Sequence, residues 1–316
     1  MTRQQFDAAT REGSRVALVT SDMFPDLWDD DHPLRDGLRA RGVAVDAVCW
    51  DDPAADWARY HLAVLRSSWD YPPRRDEFVA WAYRVPHLAN PADIVEWNTD
   101  KHYLRELAGA GVTVTPTEFV EPDGAWTAPG SGEWVIKPAI SAGSLDTGRY
   151  ALPAQAGLAA AHVERLQRAG RTAMIQPYLS AVDTVGETAV LYLPDATGDL
   201  TVSHAIGKSA MLTGPDVGPI DLVATERTEL RTPSAAELGT AAAALAVVPG
   251  GTERLLYARV DMIPGPDGTP MLVELELTEP SLFLRHAEGA ADRLADAVVA
   301  RLYGDGRAGS SADPAR

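Results

Sequence analysis

The segment Pro264-Gly-Pro-Asp-Gly-Thr-Pro270 is dense in residues that reverse a chain. Pro presets φ, Gly accepts conformations closed to other residues, and Asp bonds its own turn, so a reversal is required there. The flanking runs, residues 255–263 and 271–277, are therefore predicted to form an antiparallel hairpin. Side chains two apart on a strand share a face. Glu274 and Glu276 share one face, Met271, Val273, Leu275 and Leu277 take the other, and Arg259 and Asp261 share a face of the first strand. Three carboxylates and a guanidinium thus meet on paired strands. Like charges opposite each other in a sheet are destabilising unless a cation lies between them. Magnesium suits that role, because it takes few carboxylate oxygens and completes its octahedron with water and phosphate. A solvated polar face on a half-exposed sheet is the competing reading of the hairpin alone.

The first ninety residues alternate strands and helices. Strands are predicted over 16–20, 43–50 and 62–67. Pro33, after Asp30 and Asp31, opens a helix that runs through Arg41 and stops at Gly42. A second helix, 76–85, ends before Pro86. This order predicts a parallel sheet and an α/β domain over residues 1–98. Beyond it, a helix over 100–108 closes at Gly109 and Gly111, and a strand over 133–137 leads into a small-residue loop, 139–148. A helix over 153–169, strands over 172–176, 187–193 and 200–208, and helices near 233–248 and 281–303 follow. The domains expected are 1–98, 99–176 and 177–304, with a flexible tail over 305–316.

Composition narrows the function. Lys and Arg number 28 against 45 Asp and Glu, a formal charge of −17. That sign argues against nucleic acid and anionic membrane as partners, while leaving room for a local basic pocket. The single cysteine, Cys49, excludes an internal disulfide and a Cys-based zinc site, fits a cytoplasmic location, and lies in an apolar strand as a small core residue. The longest apolar run, 241–248, is far short of the ~20 residues of a membrane span, and 16–20 is too short for a signal-peptide core. Gly207-Lys208-Ser209 lacks the first glycine of a P-loop, since Val202 stands there, and Lys208 closes a strand instead of opening a helix. Neither a dinucleotide glycine pattern, a nucleophile-elbow serine nor a His-Glu-x-x-His is present. Lysines are few, and Lys101, Lys137 and Lys208 are compact charges suited to phosphate.

In order and spacing these parts resemble the ATP-grasp superfamily, over about residues 14–303. Thr99-Asp-Lys101, on a helix, resembles its first nucleotide lysine, and Val135-Ile-Lys-Pro138 its second. The loop 139–148, with Ser141, Gly143 and Ser144, resembles the flexible loop over the β- and γ-phosphates. Met174-Ile-Gln-Pro-Tyr-Leu179 resembles the joining segment whose backbone, here Gln176, Pro177, Tyr178 and Leu179, reads the adenine edge. Gly186-Glu187 resembles the ribose-binding acid, with Asp183 as a second candidate. Lys208 resembles the basic residue of the third phosphate-facing strand. Arg259-Val-Asp261 with Glu274-Leu-Glu276 resembles the magnesium strands, although many members carry Asn where this chain has Glu276, which makes the site more acidic.

A narrower resemblance joins Arg66-Ser-Ser-Trp-Asp-Tyr71 and Leu275-Glu-Leu-Thr-Glu-Pro-Ser-Leu-Phe283 to the group containing the O-ureido-serine cyclo-ligase of cycloserine biosynthesis. It implies substrate contacts from Arg66, Trp69, Tyr71, Glu279 and Ser281. Together the resemblances imply an α/β protein of ATP-grasp fold, with an N-terminal parallel-sheet domain and two α+β lobes enclosing the nucleotide. The implied reaction is ATP-dependent ligation: a carboxylate becomes an acyl phosphate with release of ADP, and an amine-type nucleophile displaces phosphate. ATP and Mg²⁺ are the cofactors implied, with Mn²⁺ as an alternative ion. Lys208 and Arg259 would act on the reacting groups, and the partner would be a small amino-acid-like molecule, with a homo-oligomer left open. Competing readings are an intermolecular dipeptide-type ligase, a phosphotransfer enzyme, a non-catalytic nucleotide binder and a plain α/β binding module.

Overall fold

The computed structural model describes residues 13–216 and 227–304. The tail expected over 305–316 lies outside the described residues. The first sheet holds β1 (Arg15–Thr20), β2 (Ala44–Cys49), β3 (Leu62–Ser67) and β4 (Leu88–Ala89), all parallel, in the order β2-β1-β3-β4. All of β3, and β1 after Arg15, are buried, as parallel strands covered on both faces must be. Helix α1 (His32–Ala40) carries Pro in its first turn and is followed by Gly42 at φ +79°. Helices α2 (Arg75–Arg84) and α3 (Ala92–Asn98) complete this part.

Helix α4 (Tyr103–Gly109) leads to a second, antiparallel sheet of β5 (Glu118–Val120), β6 (Gly132–Pro138), β7 (Gly148–Leu152) and β8 (Ala173–Pro177), ordered β5-β8-β6-β7. Helix α5 (Ala156–Arg168) buries Val163 and Leu166 in the core of this sheet. The third sheet, also antiparallel, is ordered β11-β10-β9-β12-β13, from β9 (Glu187–Pro194), β10 (Leu200–Lys208), β11 (Thr228–Leu230), β12 (Ala258–Pro264) and β13 (Pro270–Glu276). Helices α6 (Ala235–Leu245) and α7 (Ala290–Gly304) follow β11 and β13.

The cores do not follow chain order. Leu34 and Leu38 of α1, Val16 and Leu18 of β1, Leu191 and Leu193 of β9, and Leu294 and Val298 of α7 form one buried cluster. Each such side chain contributes roughly 1.5–3 kcal/mol when buried, so the first and third sheets are held as one body. No helix among the described residues is long and apolar enough to cross a membrane.

Three predicted elements differ. The helix expected from Asp100 starts at Tyr103, because the Asp100 carboxylate accepts the His102 N–H (3.1 Å) and the Lys101 N–H donates to the Ala139 carbonyl (3.0 Å). Lys101 therefore stands in a turn, not on a helix. The helix expected over 281–303 starts at Ala290, after Gly289. Side chains far away in sequence claim the backbone before it: Leu284 and Arg285 donate their N–H groups to Asp30 (2.9 and 3.0 Å), and Phe283 is left-handed at φ +49°. In the hairpin, Asp261 faces Glu274 but Met262 faces Leu272, so Val273 is an extra residue. That bulge turns Leu272, Leu275 and Leu277 into one core and leaves Met271 and Val273 half-buried. The expected apolar face of Met271, Val273, Leu275 and Leu277 is corrected accordingly, whereas Glu274 and Glu276 stay on the same side of the bulge.

Candidate active site

The site is built on the third sheet. Its register sets Arg259 opposite Glu276, Asp261 opposite Glu274, and Glu187 opposite Lys208. Gly186, at φ +81°, enters β9 where a Cβ would lie 2.7 Å from the Lys208 carbonyl, so glycine is required to bring Glu187 alongside that lysine. Lys208 Nζ donates to Asp261 Oδ2 at 2.8 Å and touches a Glu187 carboxylate oxygen. Arg259 donates through Nε and Nη2 to Asp261 (2.9 and 2.8 Å), through Nη2 to Glu276, and through Nη1 to the Ser281 carbonyl (3.2 Å).

Two further lysines approach from the second sheet's side. Lys101 Nζ lies 3.0 Å from Glu274 Oε1 and donates to the Ser141 carbonyl (2.8 Å) and hydroxyl (3.2 Å). It so ties β13 to the start of the loop 139–148. Lys137, near the end of β6, is 9% exposed, and its ammonium makes no hydrogen bond or ion pair among the described residues, although the charges of Glu274, Glu187 and Asp261 act on it. Burial pushes its ammonium below the usual lysine range, and the Lys101 charge adds to that.

The carboxylates divide by environment. Burial raises Asp261, but Arg259 and Lys208 outweigh it and hold the group well below the usual range. Burial likewise opposes Lys101 and Lys137 at Glu274, which ends low. Glu276 ends high, because burial and the charges of Glu274 and Asp261 exceed the pull of Arg259. Glu187 is also raised by burial against Lys208. Among the described residues no three His, Cys, Asp or Glu groups converge closely enough to hold a metal ion by themselves. The acids are instead held by cations: Asp261 by Arg259 and Lys208, Glu276 by Arg259, Glu187 by Lys208 and Glu274 by Lys101. The donor set nonetheless fits Mg²⁺, which uses one or two carboxylates and fills its remaining positions from phosphates and water.

The other candidate residues fall into two groups. Glu279 lies against the Tyr71 hydroxyl and within the influence of Lys101, Glu274 and Arg259; burial pushes its carboxyl up to about 7. Tyr71 is buried and stacked on Phe78, and Trp69 Nε1 donates to the Glu279 carbonyl at 2.9 Å. With Arg66 on the Pro280 carbonyl (2.7 Å) and Arg259 on that of Ser281, three successive carbonyls of residues 279–281 are held by side chains. Arg66 itself is 1% exposed and bound to Asp31, as a buried strut between β3 and residues 279–281. Ser141, Gly143 and Ser144 lie in the loop beyond β6, the latter two at φ +59° and +55°.

At the joining segment the Gln176 side chain donates to Thr117 (2.8 Å), and the Tyr178 N–H is taken by the Glu133 carbonyl (2.8 Å). Pro177 has no N–H. The Leu179 N–H, which makes no hydrogen bond among the described residues, is the donor left in 177–179 for a ligand. Asp183 accepts from the Tyr178 hydroxyl (2.5 Å) and from Arg149 (3.3 Å), on the rim and apart from the lysines. Cys49 is half-buried and donates to Asp22 (3.4 Å); burial and Asp22 push its thiol up to about 12, which disfavours the thiolate.

Sequence reasoning missed Asn90 and Asn98. The Asn98 amide donates to the Leu275 carbonyl and accepts the Leu277 N–H (both 2.7 Å), bracketing Glu276. Asn90 donates to the Tyr257 and Leu277 carbonyls (3.0 and 2.7 Å). The one local signal is a short polar residue at each end of the segment 90–98.

Residues 16–91 match the family model of the N-terminal domain of D-cycloserine synthetase DcsG. The cycloserine biosynthesis protein DcsG of Streptomyces lavendulae is 37% identical over 302 residues, covering 91% of this chain and 98% of that protein. A crystal structure of D-cycloserine synthetase DcsG superposes with a TM-score of 0.79 at 35% identity, over 92% of this chain and all of that one. The ATP-grasp ligase PsnB, solved with a variant precursor, Mg and ADP, superposes at 0.60 with 19% identity, over 92% of this chain and 99% of that one.

Proposed function

Since the chain belongs to the DcsG family of ATP-grasp carbon–nitrogen ligases, we propose that it closes a ring within one small amino-acid derivative of the O-ureido-serine kind. The observation that carries the reading is the convergence of Lys101, Lys137 and Lys208 with Asp261, Glu274 and Glu276 from separate elements onto one buried patch. Lys101, Lys137 and Lys208 hold the phosphates of ATP. Asp261, Glu274 and Glu276 are the carboxylates from which Mg²⁺, with Mn²⁺ as a substitute, would take one or two, and the ion would supply charge neutralisation to the phosphates. Leu179 offers its N–H to the adenine edge, and Glu187 or Asp183 takes the ribose. The loop with Ser141, Gly143 and Ser144 closes over the transferring phosphoryl group.

The substrate carboxylate oxygen attacks the γ-phosphorus and ADP leaves. The nucleophilic nitrogen then attacks the acyl carbon, and the bond to the phosphate oxygen breaks. Arg259 is the cation placed to stabilise the tetrahedral oxyanion once Asp261 and Glu276 serve as ligands. Trp69, Tyr71, Glu279 and Ser281 form the substrate wall. One acceptor pocket suffices for ring closure, because both reacting groups arrive in one molecule. The test is product mass with ATP and candidate amino-acid derivatives. One substrate less one water supports cyclisation; two amino acids less one water would replace it with a dipeptide-type ligase.

A metal prediction follows from the acidic strands. ADP formation should stop with chelator and return with Mg²⁺ or Mn²⁺. Glu274→Gln should lower turnover by on the order of a hundredfold or more while the melting midpoint stays within a few degrees. Wild-type turnover in that variant removes Glu274 from the metal set.

A further inference from the structure

Two segments lead away from lysine-bearing strands of the site, and they are fastened to each other. One is the loop 139–148 after Lys137. The other is 209–216, which follows Lys208. Backbone contacts lay the second against β7: the Arg149 N–H donates to the Gly214 carbonyl (2.8 Å) and the Asp216 N–H to the Tyr150 hydroxyl (3.3 Å). Gly148 makes this approach possible, since a Cβ there would sit 2.5 Å from the Asp216 nitrogen and 2.8 Å from the Tyr150 hydroxyl. The same hydroxyl is 2.7 Å from Nδ1 of His162, whose ring burial pushes down to about 4, so the imidazole is neutral at pH 7.

Arg165 of α5 spans the junction. Its Nη1 donates to Asp146 Oδ1 of the first loop (2.8 Å) and its Nη2 to Asp216 of the second. Arg171 takes the other oxygen of Asp146 and donates to the Ile140 carbonyl (3.4 Å). Gly143, Ser144 and Asp146 all have φ between +54° and +59°. Non-glycine residues adopt that conformation at a cost, and the paired arginines hold the loop in it.

We propose that Arg165 is a positioning residue that locks the loops 139–148 and 209–216 together, so that they close over the reaction as one cover and keep water from the acyl phosphate. The inference rests on the ligase reading above. Water reaching the acyl carbon would break its bond to the phosphate oxygen and return the free carboxylate with inorganic phosphate, so ATP would be spent without product. The diagnostic quantity is therefore ADP formed per product formed.

The experiment compares wild type, Arg165→Ala, Arg165→Lys and Arg168→Ala with ATP, Mg²⁺ and the best substrate. Arg168 is the control, on the same helix and, among the described residues, paired with Glu164 at 3.9 Å and with neither loop. Wild type and Arg168→Ala should give about one ADP per product. Arg165→Ala should give at least about three, with KM for ATP raised about fivefold, the scale of two partly exposed ion pairs. Arg165→Lys, which can keep one of the two pairs, should fall between. A folded Arg165→Ala with the wild-type ratio overturns the proposal. If that variant does not fold, Asp216→Asn and Gly148→Ala carry the same expectation, and wild-type ratios in both overturn it. Wild type that forms no ADP with any amino-acid derivative is a different result: it removes the ligase reading, and the lock with it.

Discussion

Replacing Lys137 by Met is expected to give a protein that melts higher without nucleotide and turns over ten- to a hundredfold more slowly with it. The two effects have one cause. The Lys137 ammonium is buried and makes no hydrogen bond or ion pair among the described residues. Its folded-state pKa lies below the unfolded value, so the folded state disfavours the charge at neutral pH, and that deficit disappears only as pH rises through the range between the two values. Met keeps the length and apolar bulk of the stem and removes the charge. The gain should be roughly 1 kcal/mol, or a few degrees in the melting midpoint. A charge-assisted contact to phosphate is worth about 1.5–3 kcal/mol, which sets the loss in turnover and nucleotide affinity. Calorimetry without ATP and steady-state kinetics with it read the two halves separately. A variant that melts lower and keeps wild-type kinetics would place the phosphates elsewhere.

The chain contains only three lysines among its 28 basic residues, and all three stand in the same cluster. Their scarcity was therefore a sharper sign than any one motif around them. The acidic hairpin was legible for a similar reason: turn chemistry and period-two spacing are local, and they place Glu274, Glu276, Arg259 and Asp261 with no knowledge of the remainder. What stayed hidden depends on contacts between distant parts of the chain. The bulge at Val273 has no local glycine to announce it. The segment 281–289 has helical composition, yet Asp30, Arg66, Trp69 and Arg259 claim its backbone or that just before it from as many as 255 residues away. Edge strands β5 and β11 span three residues each, too short for alternation to be read. The common core of α1, β9 and α7 is equally silent in a linear reading, since none of those elements shows its partner's address.

Arg66 is where that limit changes a residue's role, and Arg66→Ala should cost about 3–5 kcal/mol of stability. An arginine beside Trp69 and Tyr71 at the carboxyl end of a parallel strand reads as a ligand contact, because such sheets bind ligands there. In the fold its Nε donates to Asp31 Oδ1 (2.8 Å), its Nη2 to the Pro280 carbonyl (2.7 Å) and its Nη1 to the Leu65 carbonyl (3.2 Å), with the guanidinium 5.3 Å from the Tyr257 ring centroid. Asp31 is equally buried, and its other oxygen accepts the Ser67 hydroxyl (2.8 Å). Truncation would leave that carboxylate buried without its counter-charge and the Pro280 carbonyl without a donor. At about 2–4 °C per kcal/mol the melting midpoint should fall by roughly 10 °C. Arg66→Lys should recover little, because one ammonium cannot reproduce the planar fork that serves Asp31 and Pro280 together. Asp31→Leu combined with Arg66→Met should recover most of the loss, since removing both charges is far cheaper than removing one. Urea denaturation of the four proteins measures this coupling. A folded Arg66→Ala with the wild-type midpoint and a tenfold higher KM for the amino-acid substrate would return Arg66 to the substrate wall.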